Sequence, residues 1–270
     1  MELDWLGDAL QIVGIGASVG ASTVASISLK KNWRYRALRN VWGFGRRDRV
    51  MVVCTELDDP ETRQFPEPRE FIYSYKYGDL DALFEVVTTL LRLFPALELR
   101  VVSYNELDRS QLDLDSHLVL IGGPDYNKVT ERILEEADTC FDYLSPYSRQ
   151  PSRRHPDEIV LLARESGDEL FFTTDKRDYG YFETLDNIYA EGKRIVLIGG
   201  CHTLGVTGAA KTFSVLNVAR QETREIVLRN ANRVWRHTRR KKRFAVLVEA
   251  HRVGTSISTP QVKTQNIWSP

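Results

Sequence analysis

Two nearly identical apolar runs, each ending in paired glycines, constrain the fold of this chain more than any other feature. LVLIGGP occupies residues 118–124, IVLIGGC occupies residues 195–201, and both lead into stretches of helical character. Uninterrupted apolar runs of this length are typical of parallel strands that are buried on both faces. Paired glycines permit the sharp turn from the end of a strand into a helix. We therefore expect parallel strands that are joined by helices.

The rest of the chain repeats this alternation over residues 46–258, which are assigned to one α/β domain with a mostly parallel, Rossmann-like sheet. Strands are predicted at 50–54, 97–102, 118–121, 194–198 and 244–248, and helices at 127–138, 204–220 and 222–236. A further helix is expected to begin at an Asp79 cap and to stop near Pro95.

Antiparallel structure is expected in the second half of the domain. Residues 158–163 and 169–174 flank a turn at 166–168, which predicts a hairpin at an edge of the sheet. Residues 178–185 predict another edge strand, with Asp178 at a surface turn. Residues 259–270 are expected to form a polar carboxyl-terminal tail.

The amino-terminal region, residues 1–45, has the features of a single-pass membrane anchor. Residues 9–29 carry no charge and have roughly the length that a helix needs to cross a bilayer. The spacing Gly16-x-x-x-Gly20 is typical of close helix packing in lipid. Basic and aromatic residues follow through Trp42 and would keep the domain cytoplasmic. A helix that packs on a soluble, cytoplasmic domain remains the alternative.

Charge and cysteine usage exclude several classes of protein. The 37 basic and 37 acidic residues cancel, whereas a dedicated nucleic-acid binder normally carries a basic excess. Cys54, Cys140 and Cys201 are too widely spaced for a disulfide framework or a C-x-x-C metal site, and they favour a reducing compartment. Because no His, Asp, Glu or Cys cluster has metal-ligand spacing, no metal is predicted. No cofactor is predicted either.

The two glycine turns carry the predicted binding site. The N-terminus of a helix behind such a turn favours an anion, and ligands of open α/β sheets lie beyond the carboxyl ends of the strands. Because the chain contains such a strand–glycine–helix turn twice, binding of a nucleotide-like ligand is favoured over simple strand–helix packing. The candidate ligand-binding residues are Gly122, Gly123, Pro124, Asp125, Asn127, Gly199, Gly200, His202, Thr203, Gly205 and Thr207.

Individual residues of these turns allow more than one role. Asp125 and Asn127 are expected to contact ribose or base edges, and Asn127 fits a helix cap equally well. The spacing Gly200-x-x-x-x-Gly205 begins like a P-loop, but the required lysine is missing, which excludes an NTPase of this type. His202 is a weak catalytic candidate, so the sequence leaves enzymatic activity open.

A dense basic run at residues 233–243 allows three interpretations. The favoured one is a solvated helix end, where cations suit the helix dipole. Contact with anionic membrane lipid comes second, and contact with nucleic acid comes last.

The strand–Gly–Gly turns and the helix start Gly205-Val-Thr-Gly-Ala-Ala resemble Rossmann-like nucleotide-sensing domains of the SLOG group (LOG/DprA-like). The resemblance covers about residues 115–215. It implies binding of nucleotides, or action on their N-glycosidic bonds, and a sensor or effector role in bacterial defence. LOG-type enzymes carry a glutamate after the second glycine motif, where this chain has Ala209, Ala210 and Lys211. FIYSYKYGD at 71–79 has a weaker, TIR-like character.

The sequence as a whole favours a membrane-tethered cytoplasmic domain that binds a nucleotide or a phosphorylated nucleotide-derived ligand. Such a domain would act as a sensor or effector in signalling or defence, and would signal by forming homo-oligomers. The alternative is an enzyme that cleaves a nucleotide or NAD-type N-glycosidic bond.

Overall fold

The computed structural model describes residues 35–55, 77–103, 115–147, 150–171, 176–216, 220–239 and 241–269. The chain divides into two compact units, Met1–Ala37 and Leu38–Pro270, and the fold described below is that of the second unit. The predicted anchor at residues 9–29 and the tyrosines at 73 and 75 lie outside the described residues.

Among the described residues, no helix has both the length and the apolar character that crossing a membrane requires.

Strands and helices alternate through the described part of the chain. The helices are α1 (Arg36–Trp42), α2 (Tyr77–Leu93), α3 (Lys128–Glu136), α4 (Thr203–Thr212) and α5 (Gln221–His237), with a 3-10 helix at Thr264–Asn266. The strands are β1 (Arg49–Cys54), β2 (Glu98–Ser103), β3 (His117–Ile121), β4 (Phe141–Leu144), β5 (Val160–Ala163), β6 (Asp168–Phe171), β7 (Arg177–Asp186), β8 (Arg194–Gly200), β9 (Phe244–Val253), β10 (Ser256–Ile257) and β11 (Ile267–Trp268).

A mostly parallel sheet of eight strands forms the centre of the unit. Its order is β10-β9-β7-β8-β3-β1-β2, and β11 also pairs with β9. Strands β2, β1, β3 and β8 are parallel. Strand β7 is antiparallel to both β8 and β9, so β9 runs in the same direction as β8. The prediction of an α/β fold with a mostly parallel sheet is therefore confirmed.

The predicted edge strand at 178–185 is wrong in its position, because β7 lies between β8 and β9 in the middle of the sheet. Residues 178–185 carry two carboxylate side chains. Asp178 is completely buried and Glu183 is 2% exposed. Both carboxylates accept backbone hydrogen bonds inside the protein, which allows a central strand to contain them.

The predicted antiparallel hairpin exists as β5 and β6, but it does not extend the central sheet. Strand β4 pairs with β5 to complete a separate three-stranded sheet. Phe141 and Leu161 of this small sheet share one hydrophobic cluster with Leu120 and Leu197 of the central sheet. The small sheet and α3 therefore cover the same face of the central sheet, because each has an apolar side that must be buried.

Helices α1, α2 and α4 pack on the opposite face. The indole of Trp42 lies edge-on to Phe182 with ring centroids 5.2 Å apart, and its Nε1–H donates to the carbonyl of Phe213 at 3.1 Å. The prediction that Trp42 is one of the aromatic residues flanking a membrane anchor is therefore wrong, since this side chain is completely buried. Burial of a tryptophan with its N–H satisfied is a large apolar contribution to the core.

Tertiary contacts end α4 earlier than the sequence predicts. The helix stops at Thr212 rather than continuing to residue 220. Immediately after it, the backbone N–H of Val215 donates to Thr89 Oγ1 at 2.9 Å, and the hydroxyl of Ser214 donates to buried Glu85. These bonds to α2 compensate for the lost helical bonds. Helix α2 begins at Tyr77, so Asp79 lies within its first turn and not at its cap.

A buried carboxylate joins the two sheets. Oε1 of Glu183 in β7 accepts the backbone N–H of Cys140, just before β4, at 2.7 Å. Burial raises the pKa of Glu183 to about 7, although the hydrogen bonds that it accepts favour the charged form. The folded chain therefore holds this proton more tightly than the unfolded chain does.

We expect the free energy of unfolding to decrease between about pH 5 and about pH 8. The contribution of Glu183 is complete below its unfolded pKa and is lost as the pH rises through about 7. Glu183→Gln should remove about 1–3 kcal/mol of that decrease in urea denaturation at the two pH values. Glu191→Gln, at an exposed position, should leave it unchanged. Equal pH dependence in wild type and Glu183→Gln would show that Glu183 is not the titrating group.

Candidate functional site

The crevice between the carboxyl ends of β1 and β3 is the point at which the strand order reverses. After β1 the chain passes through α2 to β2 on one side, whereas after β3 it passes through α3 and eventually reaches β8 on the other side. Helix α3 packs with the small sheet, and α2 contacts the residues after α4 on the opposite face. Ligands of open α/β sheets bind at such a switch point. The first glycine turn therefore occupies the place that the topology favours.

Gly122 and Gly123 form the bend out of β3. Gly122 has φ +95°, a conformation that favours glycine, and its N–H donates to the carbonyl of Ile198 in β8 at 2.9 Å. Gly123 faces Tyr143 of β4, whose ring would lie 2.9 Å from an added Cβ. Pro124 is buried next to them. The turn thus brings β3, β8 and the small sheet together at one edge.

Asn127 is the N-cap of α3, which confirms one of the two roles that the sequence predicts for it. Its Oδ1 accepts the N–H groups of Val129 and Thr130 at 3.1 and 3.2 Å. Its Nδ2 donates to the carbonyl of Ile121 at 3.0 Å and to that of Val53 in β1 at 3.4 Å. The amide is therefore engaged by the protein at both ends and ties the two strands of the crevice together.

Asp125 places a carboxylate at the same turn. Oδ2 accepts the hydroxyl of Ser145, which follows β4, at 2.7 Å. Oδ1 is buried and has no hydrogen-bond donor within the described part of the chain. A desolvated carboxylate oxygen without a donor is unfavourable.

The second glycine turn is filled by the protein's own atoms. Oδ2 of Asp178 accepts the N–H of Gly205 at 2.6 Å and that of His202 at 3.1 Å, at the N-terminus of α4. A carboxylate thus lies where the helix dipole favours an anion. Burial raises the pKa of Asp178 to about 6, against the lowering effect of these backbone bonds. The interpretation of Asp178 as a surface turn is wrong.

Two glycines, which have no side chain, let α4 approach the backbone of β7 and β8. A Cβ on Gly205 would lie 2.1 Å from the carbonyl oxygen of Tyr179, and a Cβ on Gly200 would lie 2.4 Å from the nitrogen of Val206. Close strand–helix packing, the alternative that the sequence left open, accounts for both glycines.

The remaining candidates of the second turn are divided between core and surface. Gly199 lies against the ring of Tyr181, and Thr207 is buried. The side chains of His202 and Thr203 are exposed. The structure therefore does not bring all of the candidate residues into one open site.

The thiol of Cys201 is not prepared for nucleophilic chemistry. It is 1% exposed and donates to the carbonyl of Leu170 at 3.3 Å. Burial raises the pKa of this thiol, and the nearby carboxylate of Asp178 raises it further. Since the thiolate is the reactive form, pairing with the exposed His202 does not produce an activated cysteine.

Sequence reasoning missed the contribution of the small sheet to the first turn. Tyr143 packs on Gly123, and Ser145 donates to Asp125. Both come from β4 or directly follow it, and β4 has only four residues. Its alternating burial, with Phe141 and Tyr143 buried, is a signal that a search for short amphipathic strands would detect.

Several side chains of the basic run at 233–243 contact the protein itself. Arg233 donates to the carbonyl of Val262, Arg243 to that of Asp138 at 2.8 Å, and Lys241 to that of Ser269 at 3.1 Å. These bonds hold the carboxyl-terminal residues and the end of α3 against the domain. Contact of this run with lipid or nucleic acid stays a prediction.

A comparison with known protein families and with characterised proteins found no match to this chain. Within the described ranges, the side chains of His, Cys, Asp and Glu form no group of three or more that could hold a metal ion.

Gly205→Ala should destabilise the fold by about 3 kcal/mol or more, because its Cβ would clash with a backbone oxygen that cannot move freely. Gly167→Ala is the matched control, since Gly167 has φ +72° and open space around its Cβ. The control should cost only about 1–2 kcal/mol from backbone conformation. Urea unfolding measures both variants, and equal losses would show that close packing at Gly205 is unnecessary.

Proposed function

We propose that this chain binds a nucleotide or a phosphorylated nucleotide-derived ligand in the crevice between β1 and β3. The observation that carries the proposal is the buried Oδ1 of Asp125 at the switch point of the sheet, to which no described residue donates a hydrogen bond. Ribose hydroxyls and base amino groups are donors of the required kind. The Rossmann-like character of the sequence motifs favours the same ligand class.

The filled second turn restricts how such a ligand would lie. Asp178 already supplies the anion at the N-terminus of α4, so a phosphate there would meet a carboxylate. The sugar or base edge of the ligand is therefore assigned to Asp125, and its phosphate to a place away from α4. This arrangement uses the first glycine turn alone, whereas the sequence assigns the residues of both turns to one binding site.

A sensor role follows from the position of Asp125 between two layers. Asp125 lies in the turn that follows β3 of the central sheet, whereas Ser145, its hydrogen-bond partner, follows a strand of the small sheet. A ligand that donates to Oδ1 would strengthen the link between these layers. Signalling would then proceed through self-association of a membrane-tethered domain, in which residues 9–29 are the proposed anchor.

Thermal unfolding of the full chain against nucleoside monophosphates, cyclic nucleotides, NAD and ADP-ribose tests the proposal. A ligand at about 100 times its Kd should stabilise the folded state by about 2.7 kcal/mol. Asp125→Asn should raise the Kd about tenfold or more, because a hydrogen bond to a charged acceptor is weakened. Asp157→Asn, at an exposed position, is the matched control. A panel without any shift, or full binding by Asp125→Asn, would overturn the assignment.

Product analysis of the same samples distinguishes the enzymatic alternative from the sensor. Cleavage of an N-glycosidic bond in NAD or a nucleoside monophosphate would release a free base, and loss of that product in His202→Ala would identify an enzyme. Stabilisation without product supports the sensor.

A further inference from the structure

A cavity on the small sheet lies outside the proposed nucleotide site. Residues 150–154 face β4 and β6 across this cavity, whose volume is about 540 Å³. Its lining includes Leu144, Ser152, Arg153, Arg154 and Glu169. Small-molecule sites commonly have volumes of about 300–1,000 Å³, so the cavity has room for a ligand of several functional groups.

A buried serine fixes one wall of this cavity. Ser152 is 1% exposed, and its hydroxyl donates to Oε2 of Glu169 in β6 at 2.7 Å. Oγ of Ser152 in turn accepts the backbone N–H groups of Arg154 and His155, each at 3.1 Å. This turn holds the segment against β6. The backbone that carries the two arginines is therefore kept in one conformation.

The charges that line the cavity are unbalanced. Arg153 and Arg154 are exposed, and neither guanidinium has an ion-pair partner within the described part of the chain. Glu169 is a carboxylate of the lining, and Ser152 already occupies one of its oxygens. Guanidinium groups bind phosphate and carboxylate through pairs of parallel hydrogen bonds. The adjacent arginines thus offer donors that no described residue of the protein uses.

We propose that this cavity binds a small anionic ligand that carries phosphate groups. Arg153 and Arg154 are its charge partners, and Ser152 is a positioning residue that holds their backbone on β6. The proposal is independent of the nucleotide site, because it uses neither Asp125 nor the glycine turns.

Calorimetric titration of the full chain with inorganic pyrophosphate, at constant ionic strength, tests this site. The double variant R153Q/R154Q should raise the Kd about tenfold or more. R46Q/R47Q is the matched control, because Arg46 and Arg47 are also adjacent and exposed and lie outside the cavity lining. The control should bind pyrophosphate as the wild type does. Since all four side chains are exposed, the variants should fold normally.

Three results would overturn the proposal. The first is absence of pyrophosphate binding by the wild type, and the second is an equal loss of affinity in R46Q/R47Q, which would indicate non-specific attraction. The third is binding that is lost in Asp125→Asn but kept in R153Q/R154Q, which would move the anion to the switch point. Binding that Asp125→Asn retains, together with absence of nucleotide binding, would support this cavity while refuting the nucleotide site.

Discussion

The N-terminus of α4 rests directly on the backbone of β7 and β8, and the central sheet is organised around this contact. Gly205 and Gly200 lack the Cβ atoms that would keep the helix away. The N–H groups that this approach buries need an acceptor, and Asp178 supplies it. Because β7 is antiparallel to β8, its first residues lie at the carboxyl end of β8. A parallel strand in that place would present its last residues there, and Asp178 would be remote from the helix.

Two similar turns therefore have different consequences. At the second turn, an internal carboxylate and close packing use the space and the backbone donors that the sequence suggested for a ligand. At the first turn, Asn127 caps its helix from within the crevice, and one oxygen of Asp125 receives no hydrogen bond from the residues that the structure describes. The small sheet makes this difference, because Ser145 orients Asp125 and Tyr143 covers Gly123. The same sheet is joined to β7 by Glu183, so the site and the contact between layers are physically linked.

Most strands and helices followed from local sequence because their signals are local. The apolar runs that end at Ile121 and Ile198 are neighbouring parallel strands, and a cap at Asn127 is one of the two roles that its position before an amphipathic stretch predicts. The predictions fail where contacts between residues that are far apart in the sequence determine the structure. From the sequence, Trp42 has the features of an aromatic residue at a membrane interface. In the folded protein its side chain instead contacts Phe182 and Phe213. The end of α4 depends on Thr89 and Glu85, more than a hundred residues earlier in the chain.

The sequence by itself determined the α/β class, the parallel strands and the helix that Asn127 begins, since periodicity and capping act between residues a few positions apart. Only the tertiary structure decided that β7 is a central strand and that Asp178 fills the second turn. It also decided that a separate small sheet completes the first glycine turn. Burial and hydrogen-bond satisfaction of a carboxylate depend on which strands become neighbours, and that neighbourhood is a property of the whole sheet. For this reason the repeated glycine motif predicts ligand contacts at both turns, whereas the fold fills the second turn with the carboxylate of Asp178.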